Sequence, residues 1–232
     1  MNRIVALVLA GLLSVGGAWA QDFKAGVVAY ERGDYATALK ELRPLAGGGN
    51  ASAQFNLGVM YEVGHGVPQD YTEAARWYRL SAENGIASAQ YNLGGLHLRG
   101  EGVPQDYSQA LLWYTLSAEQ GNVNAQYNLG VLYDNHPVIP QDYAEAAFWY
   151  RRAAEQGFSS AQTNLAVMYS LGQGLPRNNI LAHSWFNLAC AQGHDKAFEG
   201  RELLVTLMNP IEILEAQRRA RLCMESNYKD CD

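Results

Sequence analysis

The stretch GVPQDY occupies residues 66–71 and returns unchanged at residues 102–107. A third copy, VIPQDY at residues 138–143, differs at its first two positions, and a fourth, GLPRNN at residues 174–179, keeps only part of the pattern. Each copy begins 36 residues after the one before it. A fixed period of this length indicates a repeat protein, in which one small structural unit is copied along the chain.

Each copy lies between two segments with helical periodicity. NASAQFNLGVMY at residues 50–61 places Ala53 and Leu57 on one helix face, and YTEAARWYRLSAENG at residues 71–85 does the same with Trp77. Two helices of about a dozen residues cannot bury their apolar faces alone, so neighbouring units must stack. The sequence therefore predicts an all-α fold, a right-handed superhelical α-solenoid of antiparallel helix pairs.

The repeated loop contains the signals that end one helix and begin the next. Glycine lets the backbone leave the first helix with a positive φ, and proline prevents that helix from continuing. Asp70 is the predicted N-cap of the second helix, and Glu73, three residues later, predicts a reciprocal capping box. Asp106 and Asp142 stand at the equivalent positions in the next two copies.

The first 20 residues have the pattern of a cleavable signal peptide. Arg3 precedes an apolar run at residues 4–15, and the small-x-small exit Ala-Trp-Ala follows at residues 18–20. The 12-residue run is shorter than the roughly 20 residues that span a bilayer. We therefore expect an exported chain, periplasmic or secreted, with no membrane span after cleavage.

The predicted domain organisation has four parts. They are a signal peptide at residues 1–20, an N-terminal TPR-like capping helix pair at 21–49, four repeats at 50–193, and C-terminal capping helices with a tail at 194–232.

The repeat pattern resembles the Sel1-like repeat, a relative of the tetratricopeptide repeat. It reads A-x-A-Q-x-N-L-G-x-x-Y, then G-x-G-V-P-x-D, A-x-x-W-Y and A-x-x-G, closely over residues 50–193 and more loosely over 22–225. Departures from it occur at His136, Val138, Ala166, Arg177 and Asn178. The resemblance implies a non-enzymatic adaptor or scaffold that binds protein or peptide partners in the cell envelope or the secreted space.

A row of aromatic and amide side chains on the first helix of each repeat is the candidate partner-binding site. The concave face that these helices form is the usual binding surface of a solenoid. The row consists of Phe55, Asn56, Tyr91, Asn92, Tyr127 and Asn128. Rings supply contact area and amides can bond a peptide backbone, so we expect truncation of Tyr91 or Tyr127 to weaken binding and spare stability. In the other interpretation, the amides bond neighbouring backbone and the rings fill gaps between repeats.

Other classes of function find little support in the sequence. The net charge of −6 argues against nucleic-acid binding, which requires clustered Lys and Arg. The histidines are scattered without metal-ligand spacing, at His65, His97, His136, His183 and His194. We therefore expect no metal, no cofactor, no catalytic set and a monomeric chain.

The alternative function is binding or hydrolysis of β-lactams or peptidoglycan fragments, which the resemblance to some cysteine-rich relatives implies. Ser226 and Lys229 match the S-x-x-K pattern of penicillin-recognising enzymes. In those enzymes the serine begins a buried helix, whereas Ser226 follows the last predicted helix, and no S-D-N or K-T-G accompanies it. A chance match is the favoured explanation.

The family resemblance also implies a disulfide between Cys223 and Cys231, because cysteine-rich secreted members bridge one helix to the next segment at that spacing of eight. Cys190 stands where the other repeats have alanine, which indicates a small buried residue. Pairing of Cys190 with Cys223 is the alternative, since connectivity does not follow from sequence.

We predict that the exported chain begins at Gln21, because cleavage follows the Ala-Trp-Ala exit. N-terminal sequencing of protein recovered from the envelope or the medium checks this. Retention of Met1 in that material would contradict both the signal peptide and the compartment.

Overall fold

The computed structural model describes residues 17–228 and residue 231, with side chains from Asp22 onward. Within these residues the chain forms twelve α-helices and no strand. The helices are α1 (Gly17–Glu31), α2 (Tyr35–Gly47), α3 (Ala51–Val63), α4 (Tyr71–Glu83), α5 (Ala87–Arg99), α6 (Tyr107–Glu119), α7 (Val123–Asn135), α8 (Tyr143–Ala154), α9 (Ser159–Leu171), α10 (Asn179–Ala191), α11 (Asp195–Val205) and α12 (Pro210–Glu225). Most of the predicted signal peptide, residues 1–16, lies outside the described residues.

The helices form an all-α solenoid, which confirms the predicted fold class. The chain divides into two compact units, residues 1–122 and 123–232. In the first unit each helix from α1 to α6 packs on the next, and in the second unit α7 to α11 do the same. We call α3, α5, α7, α9 and α11 the A helices, and α4, α6, α8 and α10 the B helices.

The repeated loop closes each A helix and opens the B helix that follows. Gly64 and Gly66 take positive φ values of 81° and 74°, which glycine adopts without strain. The Gln69 side chain then donates to the carbonyl oxygen of Glu62 over 2.8 Å and so satisfies the end of α3. Asp70 caps α4, since its carboxylate accepts hydrogen bonds from the backbone N–H groups of Thr72 and Glu73.

The reciprocal half of the predicted capping boxes is wrong. The backbone N–H of Asp70 donates to the carbonyl oxygen of Tyr61 at 2.9 Å, so it is not free for Glu73. Glu73 instead forms an ion pair with Arg76 at 2.9 Å. The N–H groups of Asp106 and Asp142 are likewise bonded to the preceding A helix. The loop therefore folds back on its own A helix, an arrangement that the capping pattern does not reveal.

The third loop lacks both glycines and uses a histidine in their place. Nδ1 of His136 accepts the backbone N–H groups of Val138 and Ile139, each at 3.3 Å. Ile139 is buried, and Asp142 still caps α8. A side chain thus holds the turn that glycine geometry holds in the other loops.

A buried glutamine on α3, α5 and α9 ties each of these helices to the helix before it. Nε2 of Gln90 donates to the carbonyl oxygen of Ala82 at the end of the preceding B helix, over 3.1 Å. Oε1 of Gln90 accepts from the Gln120 side chain of its own repeat at 2.7 Å. Gln162 makes the same two bonds in the second unit. The glutamine of the A-x-A-Q pattern is therefore a structural residue.

Helix α12 covers the outer face of α10 with small side chains. Ala216, Ala220 and Cys223 are buried, and α12 packs on α10. Ser184 of α10 is fully buried there, although Phe148 at the equivalent position of α8 is exposed. This position is therefore exposed on α8 and buried on α10, the helix on which α12 packs.

The structure pairs Cys223 with Cys231, whose Cα atoms lie 4.5 Å apart, within the range for a disulfide. Cys190 is unpaired among the described cysteines and is buried. Burial raises the pKa of the Cys190 thiol. Formation of the Cys223–Cys231 bond in the exported protein remains a prediction.

One buried hydrogen bond between side-chain amides is missing in the first repeat, and a single substitution should supply it. Oε1 of Gln54 is buried and has no hydrogen-bond partner among the described residues, because Asn84 stands where Gln120 stands one repeat later. We expect Asn84→Gln to stabilise the fold by about 1 kcal/mol, the usual net worth of one hydrogen bond. Thermal unfolding should show a rise of about 2–4 °C.

The matched control is Gln156→Asn, which removes the bond from Gln156 to Gln126, 2.7 Å long in the wild type. We expect its melting temperature to fall by a similar amount. Equal melting temperatures for both variants and the wild type would show that the side-chain bond contributes nothing.

Candidate functional site

Two of the six predicted partner-binding residues are buried, which corrects the prediction for the first repeat. Phe55 and Asn56 are only 3% and 1% exposed. The Phe55 ring packs against the Tyr78 ring, with centroids 5.8 Å apart, and Val59 one turn later is also buried. This face of α3 therefore belongs to the core of the first unit and offers no open surface to a partner.

The asparagine row serves contacts between repeats. The Asn92 amide acts on the phenol of Tyr78 in the preceding repeat and opposes the rise in its pKa that burial causes, and Asn164 acts in the same way on Tyr150. Asn56 stands opposite Leu42 in this register, and neither of its buried polar atoms has a partner within the described part of the chain. Asn92 and Asn164 thus act on tyrosine side chains, whereas both sequence-based interpretations assign the amides to backbone.

The same register explains the end of the row. Phe186 replaces the tyrosine in the fourth repeat, and Gly200 replaces the asparagine that would meet it. A Cβ at Gly200 would lie 2.5 Å from the Phe186 ring, so nothing larger fits. At this end of the array the amide and the phenol are both replaced, whereas in the first repeat Asn56 is kept although Leu42 stands in place of the phenol.

Tyr91 and Tyr127 are partly buried and contribute to both core and surface. The Tyr91 ring lies 5.6 Å from the Tyr114 ring, and the Tyr127 ring lies 5.0 Å from Phe158 and 5.9 Å from Tyr150. Burial raises the pKa of Tyr127, and a hydrogen bond from Asn164 opposes that rise. Asn92 and Asn128 are also partly buried. These side chains are therefore not the open row that the sequence suggests.

Two carboxylates on A helices lie beside the buried phenols of tyrosines on the B helices that follow. The Tyr78 hydroxyl donates to Glu62 at 2.6 Å, and Arg99 lies 3.9 Å from the same carboxylate. In the second unit Tyr150 donates to Asp134 at 3.3 Å. Burial raises the pKa of Asp134, and burial together with the Asp134 charge raises the pKa of Tyr150. These pairs satisfy buried hydroxyls.

The exposed apolar surface of the A helices lies one turn further along. Val131, Val167 and Leu203, spaced by 36, are 37%, 38% and 69% exposed, and we call them the aliphatic row. Their counterparts in the first unit are Val59, which is buried, and Gly95, which has no side chain. In the sequence, the aromatic residues four positions earlier, such as Tyr127, attract more attention than Val131, although Val131 lies on the same helix face.

Several kinds of site are absent from the part of the chain that the structure describes. No group of three or more His, Cys, Asp or Glu side chains there could hold a metal ion. Among its helices, none combines the length and the apolar character that crossing a bilayer requires. Ser226 is the C-cap of α12, and its hydroxyl donates to the Cys223 carbonyl at 2.9 Å, while Lys229 lies outside the described residues.

A family model described as the Sel1 repeat matches four consecutive stretches, residues 51–86, 87–122, 123–158 and 159–194. Together these stretches make up more than half of the chain, which therefore belongs to the Sel1 repeat family. The resemblance drawn from the sequence pattern is confirmed. Sel1 repeat proteins generally mediate protein–protein interactions, and their fold is typically a non-catalytic scaffold.

Solved structures agree with this assignment. A Sel1 repeat protein from Oxalobacter formigenes is 31% identical, with a TM-score of 0.72, over 75% of this chain and 72% of that one. A protective antigen of uropathogenic Escherichia coli with an SLR fold is 29% identical, with a TM-score of 0.72, over 91% of this chain. The match spans 50% of the E. coli protein's own length. No curated protein matches the chain significantly.

A third structure supports the fold alone. It is a Sel1 repeat protein from Klebsiella pneumoniae, 20% identical with a TM-score of 0.51, covering 82% of this chain and 94% of that one.

Tyr127 and Val131 should differ sharply in their effect on stability, although they lie one turn apart on α7. Tyr127→Ala removes ring contacts to two aromatic neighbours and should cost about 2 kcal/mol, less than a fully buried aromatic. Val131→Ser changes an exposed side chain and should cost about 0.5 kcal/mol or less. Chemical denaturation of the two variants beside the wild type gives both numbers, and equal losses would contradict this assignment of core and surface.

Proposed function

We propose that this protein is an exported, non-enzymatic scaffold that holds a protein or peptide partner against its A helices. The face that we assign to the partner is the aliphatic row of the second unit. Membership of a family of interaction scaffolds supports the general role. The signal-peptide pattern at the N-terminus supports the periplasm or the secreted space as its location.

The observation that carries the proposal is the repeated exposure of aliphatic side chains on one helix face. Single exposed apolar residues are common on protein surfaces and need no explanation. Exposure at the same position of three successive A helices is different, because it recurs with the repeat and so builds an extended surface. An extended row of this kind suits a partner segment that crosses several repeats.

The surroundings of the row also favour binding over catalysis. The buried hydroxyl of Tyr150 donates to the carboxylate of Asp134, so neither group is poised for chemistry with a substrate. The aliphatic side chains of the row therefore supply the contact area for a partner. The alternative reaction with β-lactams has no such support, since Ser226 ends a helix and lies outside this surface.

Site-specific photocrosslinking in the native envelope tests the proposal. A photoreactive phenylalanine analogue in place of Val131 should capture a partner protein that mass spectrometry then identifies. The matched control carries the same analogue in place of Phe148, which is exposed on the B helix of the same repeat. We expect a specific adduct from position 131 and none from position 148.

Two results would contradict the assignment. The same adducts from both positions would show contact without preference for the A-helix face. Adducts from position 148 alone would place the binding surface on the B helices. Once the partner is identified, Val131→Ser should reduce its copurification with the unlabelled protein by about tenfold if the row contributes a hot spot.

A further inference from the structure

At the C-terminal end of the second unit, the A helices expose more large aliphatic side chains than elsewhere. Val167 and Leu171 on α9 and Leu203 and Leu207, on α11 and just after it, are 38%, 62%, 69% and 61% exposed. Leu203 follows Val167, and Leu207 follows Leu171, by one repeat of 36 residues. We call these four residues the aliphatic quartet. They form two pairs with i, i+4 spacing, one pair for each of two neighbouring helices that are in contact.

The quartet is not a consequence of the repeat pattern. At the positions of Val167 and Leu171 the second repeat has Gly95 and Arg99. In the third repeat the second position is occupied by Asn135. Both positions carry exposed aliphatic side chains only where α9 and α11 adjoin, within the residues that the structure describes. Packing of the repeats does not require them there.

The hydroxyl groups beside the quartet are already satisfied by their own helices. The Ser170 hydroxyl donates to the carbonyl oxygen of Val167 at 2.8 Å. Thr206, at the equivalent position one repeat later, donates to the carbonyl oxygen of Leu203 at 2.7 Å. A partner that covers the quartet therefore leaves neither hydroxyl proton without an acceptor. This removes a common penalty for covering an apolar surface.

The charged residues nearest to the two leucines at the end of α11 are acidic, while one cation, Arg177, lies beside Gly172 at the end of α9. The α9 sequence from Ser159 to Leu171 contains no charged residue. On α11, Glu199 and Glu202 are exposed beside Leu203, and Glu202 pairs with Arg201 at 3.2 Å. Lys196 is the other exposed cation of α11 and lies about two turns before Leu203. The edge that α11 presents next to the leucines is therefore acidic.

The geometry points to an amphipathic helix with an aliphatic face and basic flanking residues as the occupant of the quartet, an inference that rests on the proposed function. Apolar side chains on α9 and at the C-terminal end of α11 can together contact a third helix in the helix-in-groove mode. Aliphatic residues of the partner at i, i+3, i+4 and i+7 fill the space between the pairs. Its Lys or Arg residues meet Glu199 and Glu202.

Synthetic peptides of about 20 residues test this chemistry, since that length supports a helix. The probe has leucine at i, i+3, i+4 and i+7 and lysine elsewhere. One control peptide alternates leucine and lysine, which favours a strand, and another replaces lysine with glutamate in the helical pattern. Fluorescence anisotropy at physiological salt against the exported chain should show the helical leucine–lysine peptide binding at least about tenfold more tightly than either control.

Protein variants locate the site. Leu203→Ser with Leu207→Ser should weaken binding of the probe about tenfold, while Leu222→Ser, at an exposed leucine of α12, should leave it unchanged. Glu199→Lys with Glu202→Lys should reverse the preference between the lysine and glutamate peptides. All these side chains are exposed, so folding is retained, and circular dichroism confirms it.

Three outcomes would overturn the inference. The alternating peptide could bind as tightly as the helical one, which would indicate an extended occupant. The double leucine variant could bind like the wild type. Sedimentation could show self-association that Leu203→Ser with Leu207→Ser abolishes, which would assign the quartet to a second copy of the chain. A partner crosslinked from Val131 together with any of these results would leave the scaffold role intact and remove only the helical occupant.

Discussion

The hydrogen bonds of the buried glutamine, seen in full on α5 and α9, are the interaction on which the repeat architecture depends. Its amide nitrogen bonds the last turn of the preceding B helix, and in most repeats its oxygen accepts from the B helix of its own repeat. At Gln90 these bonds are 3.1 Å and 2.7 Å long. One side chain thus fixes three helices with respect to one another, and it satisfies a carbonyl that a helix end would otherwise leave without a partner. Because the amide is buried, leaving it unpaired is costly, so the register between neighbouring repeats is specified strongly.

The ends of the repeat array show what happens when a neighbour changes. Gln54 and Asn56 keep the consensus residue types, but the first helix pair offers Leu42 in place of a phenol, and Asn84 is one methylene too short. At the other end the chain replaces both members of the tyrosine–asparagine pair at once, as Phe186 and Gly200 show. The pairing of an amide with a phenol is therefore a property of the interface between repeats. It accounts for the asparagine row without reference to any partner.

Much of the fold could be predicted from the sequence, because its determinants are local and repeated. The period, the glycine and proline of the loop, and Asp70 as an N-cap each depend on residues near one another in the chain. The burial of Phe55 could not be predicted in this way, since a helical wheel shows the faces of one helix but not which neighbour covers each. The position of α12 could not be predicted from the sequence for a similar reason. Its small stripe at Ala216 and Ala220 and its larger apolar residues, such as Ile211, mark two faces, and the larger one is exposed.

The candidate site is harder to predict because structure and function use the same residue types at neighbouring positions. Tyr127 looks like a contact residue in the sequence, yet its ring and hydroxyl have partners within its own unit. A repeat protein offers a better criterion, which is comparison of the chain with itself. Positions that bury a side chain or complete a buried hydrogen bond must stay similar from repeat to repeat, whereas exposed positions are free to differ. Where an exposed position changes from Gly95 to Val167 and Leu203, no packing demand explains the change, and a large aliphatic side chain facing water has a cost in solubility. A surface that accumulates such side chains on adjacent helices is therefore better explained by what covers it than by the fold that presents it.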